Sequence, residues 1–94
     1  MNIRVVRFTD VTPDKVEGLQ GRLEERGGPP EGVDSTGIKF LYDGDQNTAV
    51  VIQYFESREK MESSGAVLEA MDPSDTPGTR ASVDRCEVVA ELDG

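Results

Sequence analysis

The side chains of this chain that could do chemistry are carboxylates, arginines, lysines, two tyrosines and a single cysteine, because the 94 residues contain no histidine and no tryptophan. Without imidazole there is no ordinary general base near neutral pH and no Ser-His or Cys-His nucleophile pair. What remains as a base is a carboxylate whose pKa a dry pocket raises, and Asp84 and Glu87 in the last apolar segment are the candidates. Solvated or ion-paired strand residues are the simpler account of both, so no catalytic residue is assigned. Arg7, Lys39, Gln53, Tyr54 and Arg85 stand among apolar strand neighbours and form the expected ligand-binding set.

The run Asp43-Gly44-Asp45-Gln46-Asn47 puts oxygen donors at positions one, three and five of a calcium-loop pattern. The pattern then fails, with Thr48 where glycine is needed at position six and Tyr54 where a bidentate Glu belongs at position twelve. A hairpin turn is the better reading, and no metal is predicted. A lone Cys86 excludes both a zinc pair and an internal disulfide, and agrees with a reducing compartment. It shares strand parity with Val88, Ala90 and Leu92, which predicts a buried, inert thiol. No Gly-x-x-x-x-Gly-Lys or Gly-x-Gly-x-x-Gly loop occurs, and no cofactor is predicted.

Ten basic residues against nineteen acidic ones give a net charge of −9 and a pI near 4.3, with the cations scattered among the acids. A phosphate backbone or an anionic membrane needs clustered cations, so neither nucleic acid nor membrane is an expected partner. The chain has no apolar run long enough for a signal peptide or a bilayer span, and the expected location is cytoplasmic.

These groups must be positioned by secondary structure. Ile3, Val5, Val6 and Phe8 mark a first strand, after which Thr12 caps and Pro13 opens a helix striped by Val16, Leu19 and Leu23, ended by Gly27-Gly28 before Pro29-Pro30. Residues 37–42 and 48–55 read as a strand pair around the Asp-Gly turn. Ser57 caps a second helix with Met61, Leu68 and Met71 on one stripe and the small Ser64 and Gly65 between them, stopped by Asp72-Pro73. Residues 80–92 read as a last long strand. The order is βαββαβ in one domain spanning residues 1–94, an α+β ferredoxin-like arrangement with a four-stranded antiparallel sheet and two helices on one face.

Both sheet faces carry apolar residues, and two helices can cover only one. The uncovered face is expected to hold Val51, Phe55 and Val83 or Val89 beside Gln53 and Arg85, and to be buried in a homodimer joined through the sheet.

With this order, a Gly/Pro loop before strand two and the stretch Thr48–Met61, in which an aromatic-ended strand runs into a Ser-capped helix, the chain resembles the dimeric α+β barrel superfamily and, within it, the antibiotic-biosynthesis-monooxygenase-like branch. The resemblance implies a homodimer whose two sheets form a barrel, each protomer holding a pocket between sheet and helices. It spans cofactor-independent oxygenases of aromatic polyketides, haem-degrading enzymes, small-lactone isomerases, stress-responsive proteins and many members of unknown activity, so fold alone selects no reaction. Haem degradation there uses a histidine on iron and usually a tryptophan, and the oxygenases use Trp, Asn and His. This chain has neither His nor Trp, and its two asparagines are Asn2 and Asn47.

The resulting expectation is a small cytoplasmic dimeric α+β barrel protein that binds a small, partly apolar molecule. The alternatives are a cofactor-independent monooxygenase or isomerase acting on an aromatic or polyketide-like substrate, which would need a convergent acid and base in a dry cavity, and an amino-acid-binding regulatory module, which would bind at the Thr9–Thr12 loop.

Overall fold

Local chemistry starts and ends each element. The Thr12 hydroxyl accepts the Lys15 N–H at 3.4 Å, Pro13 takes the first helical position, and Gly27, at φ 68°, turns left-handed while its N–H reaches the Leu23 carbonyl. The Ser57 hydroxyl likewise accepts the Lys60 N–H at 3.2 Å. The computed structural model describes residues 1–27, 32–70 and 76–92. They form β1 (Asn2–Thr9), α1 (Pro13–Arg26), β2 (Gly37–Asp43), β3 (Thr48–Phe55), α2 (Arg58–Glu69) and β4 (Thr79–Glu87). The expected roles of Met71, Asp72-Pro73 and Gly28-Pro29-Pro30 lie outside the described residues.

The four strands make one antiparallel sheet in the order β2-β3-β1-β4. At its β2–β3 hairpin the Asp43 carboxylate accepts the backbone N–H groups of Asp45 and Gln46 at 3.1 and 3.3 Å and the Gln46 side-chain amide at 2.7 Å. The side-chain bond first, then the backbone bonds, hold its pKa below the usual carboxylate range. The Asp43 oxygens that a calcium loop would need thus serve the turn, and the described residues contain no metal-ligand cluster of three or more His, Cys, Asp or Glu. No helix among the described residues is long and apolar enough to cross a membrane.

Register decides which residues share a face. Arg4, Val6 and Phe8 pair with Gln53, Val51 and Ala49, and Gln53 and Val51 in turn pair with Ile38 and Phe40. This is the helix side. Val6, Phe8, Val11 and Ala49 form one buried cluster with Val16, Phe40, Val51 and Val83 against it, and Val33, Phe55 and Met61 form a second with Leu68.

The expected face assignment is therefore reversed. Val51, Gln53, Phe55, Val83 and Arg85 belong under the helices, and the uncovered face carries Ile3, Val5, Val50, Ile52 and Tyr54 with Lys39 and Leu41. Both faces of β3 are apolar, so alternation alone does not say which one the helices take, and a parity error exchanges the whole set.

The last strand is also shorter than expected. It stops at Glu87, opposite Asn2, and the Met1 carbonyl accepts the Val88 N–H at 3.0 Å. Val89 and Leu92 are 91% and 95% exposed. Cys86 pairs with Ile3 on the uncovered face of this edge strand, so it is exposed rather than buried in the core.

Gly78 immediately precedes β4, where the backbone passes close to Thr9. A Cβ there would collide with the Thr9 carbonyl oxygen and touch the Val11 side chain at 3.0 Å. Gly78→Ala is expected to lower stability by about 1–3 kcal/mol, the usual cost of forcing extra volume into a packed position. A urea midpoint unchanged by the substitution would show that the two segments separate freely.

Candidate functional site

Between the helix side of the sheet and the two helices lies a cavity of about 580 Å³. Val6 and Phe8 of β1, Val51 of β3 and Ile38 of β2 supply its floor, Leu19 and Leu23 of α1 and Leu68 of α2 its roof, and residues 76–80 one end. The helices carry these leucines inward because their apolar residues recur at helical spacing, while α1 buries none of its residues completely. The walls are therefore apolar and the roof is lightly held.

The charged groups at the cavity are mostly cationic. Arg4 is 5% exposed although it is a guanidinium, and its Nη1 donates to Gln53 Oε1 at 3.3 Å, across the β1–β3 register. Its Nε is buried with no hydrogen-bond partner among the described residues. Burial lowers the Arg4 pKa below the usual arginine value, attraction to Glu69 opposes this, and Arg80 and Arg85 lower it further. Glu69 lies 3.9 Å from Arg85 Nη1, with both side chains about half exposed. Gly65 sits above Arg4, where an added Cβ would stand 3.9 Å from Nε, and the neighbouring Ser64 hydroxyl accepts the Asp34 N–H at 2.9 Å. The small pair on α2 thus leaves room for a large charged side chain beneath it.

Of the residues singled out from the sequence, Gln53 lines the cavity, and Arg85 lies on the same face, opposite Arg4. Arg7, Lys39 and Tyr54 are not brought to it, since their register places them on the uncovered face. Asp84 pairs with Val5 on that face too, and Glu87 is exposed at the end of β4. Arg4, Arg26, Glu69 and Arg80 line the cavity and were not among the expected residues. The signal for Arg4 was its parity, which it shares with the apolar Val6 and Phe8.

No protein-family model and no curated protein matches the sequence. Solved structures do. A point mutant of MhuD with two manganese protoporphyrin IX bound per active site is 17% identical with a TM-score of 0.66, covering all of both chains. The shared fold is the ferredoxin-like α+β sheet with two helices. The heme-degrader MhuD from Mycobacterium tuberculosis, with two hemes bound in its active site, is 18% identical with a TM-score of 0.63 over 97% of this chain and 99% of that one. At such identity the likeness concerns the fold, and the expected ferredoxin-like order of elements is borne out.

A haem tests the site directly, because its iron needs an axial ligand. The chain has no imidazole. Tyr54 and Cys86 are on the uncovered face, Met61 is locked in the cluster with Val33 and Phe55, and Tyr42 packs beside Gly44 at the hairpin. Among the described residues no side chain that ordinarily ligates haem iron lines the cavity. These residues do not fit a ligated haem.

Proposed function

We propose that the chain is a homodimeric, cytoplasmic binding protein that holds one small, largely apolar molecule per protomer between sheet and helices. The carrying observation is the cavity itself, about 580 Å³ and walled chiefly by Val, Leu, Ile and Phe. That volume is ordinary for a small-molecule site. The solved neighbours hold porphyrin ligands in their active sites, which supports a ligand-holding role for this fold. The half-buried apolar residues of the uncovered sheet face, Ile3, Val5, Val50, Ile52 and Tyr54, support a second copy as their cover.

Binding without catalysis is favoured because the one carboxylate lining the cavity among the described residues, Glu69, faces Arg85, and neither tyrosine lines it. An amino-acid-binding role at the Thr9–Thr12 loop is disfavoured. Val11 is 1% exposed there and its N–H is bonded to the Asn47 carbonyl at 2.9 Å, so that N–H is not free for a ligand.

Native mass spectrometry, with a titration of the neutral fluorophore 1-pyrenebutanol, tests both parts. The expected result is a dimer that takes up one probe per chain, and a Leu23→Trp variant, which fills the roof, that loses most of this binding. A monomer at micromolar concentration would overturn the sheet-to-sheet assembly. An absence of saturable probe binding would overturn the binding role.

A further inference from the structure

We infer that the cavity selects an apolar molecule bearing a carboxylate, and that Arg4 is the side chain that receives it; the inference rests on the binding role proposed above. The charges around the cavity run against those of the chain. In a protein of net charge −9, the charged residues lining the cavity among the described residues are Arg4, Arg26 and Arg80 against Glu69. Arg85 adds a further cation close enough to influence Arg4.

An arginine 95% removed from solvent is costly unless an anion accompanies its charge. Arg4 has only partial compensation, from the neutral Gln53 oxygen and from Glu69, which is shared with Arg85. Its Nε is left without a partner among the described residues. The planar fork of a guanidinium matches the two oxygens of a carboxylate, and the surrounding walls of Val6, Val51 and Leu68 suit the apolar remainder of such a molecule. Glu69 then competes with the ligand as an internal anion from the end of α2.

The test compares 1-pyrenebutyrate with 1-pyrenebutanol, which share the apolar body and differ in the anionic group, by fluorescence titration at low salt. Wild-type protein is expected to bind the acid at least about tenfold more tightly than the alcohol, as a charge-assisted contact requires. Arg4→Met should bring the ratio to about one, and Glu69→Gln should raise the acid-to-alcohol ratio about threefold or more. Equal binding of both probes by wild type overturns this inference and leaves the binding role standing, whereas binding of neither overturns the role as well. A preference that survives Arg4→Met overturns the assignment to Arg4. Should Arg4→Met not fold, the wild-type ratio and the Glu69→Gln response decide, and an unresponsive Glu69→Gln overturns the inference.

Discussion

Phe55→Ala is expected to destabilise the chain by about 3–5 kcal/mol, the usual cost of emptying a buried aromatic site. Phe55 is 0% exposed at the end of β3 and shares a cluster with Val33 and Met61, with Leu68 packed against it. Its ring therefore joins three segments distant in sequence, the chain before β2, the sheet and α2. A domain of this size has about 5–15 kcal/mol of stability in all, so the loss is a large share of the whole. Urea unfolding should show it as a large fall in midpoint, with Val89→Ala, at a residue 91% exposed, nearly neutral beside it. A loss below about 1 kcal/mol would mean that the cluster closes over the vacated space and does not join these segments rigidly.

The second large effect has the opposite sign. The double variant Arg4→Met/Gln53→Leu is expected to be more stable than the wild type by about 1–4 kcal/mol, as when apolar residues of similar volume replace buried charge. Arg4 and Gln53 are 5% and 3% exposed, and their hydrogen bond leaves Nε unpartnered. The sign follows from the pKa. Burial lowers the Arg4 value, so folding disfavours the protonated form and the charge costs stability at any pH where arginine is protonated in the unfolded chain. Gln53→Leu alone should be worse than the pair, because it removes the acceptor and keeps the cation. Thermal melting of the three proteins measures this. A double variant less stable than wild type would make the pair a structural device and remove the reason to seek an anion for Arg4.

The contrast between these two sites also explains what was legible in the sequence. The helix caps Thr12 and Ser57, the Gly27 terminus and the Asp43 turn are local, each fixed by a side chain or a backbone conformation acting within a few residues, and each stands as expected. The side of the sheet is not local. Val50, Ile52 and Tyr54 alternate with Val51, Gln53 and Phe55 in equally apolar fashion, and only the packing of helices from elsewhere in the chain chooses between them. That choice moved Arg7, Lys39 and Tyr54 away from the cavity and brought Arg4 to it. The end of β4 was hidden for a related reason. Val88–Leu92 has the composition of a strand, and it has no strand partner among the described residues.

The unequal holding of the cavity's two walls has a consequence for how a guest would be felt by the protein. Most of the floor belongs to the central pair β1 and β3, whose amides are expected to exchange only on global unfolding. The α1 part of the roof has no completely buried residue, and Gly18 and Gly21 each weaken it by about 1 kcal/mol relative to alanine. One helical segment can thus fray while the sheet beneath it stays intact. A molecule seated under Leu19 and Leu23 would spend its binding energy on tightening that segment, slowing hydrogen exchange in α1 well before it changed the exchange of β1.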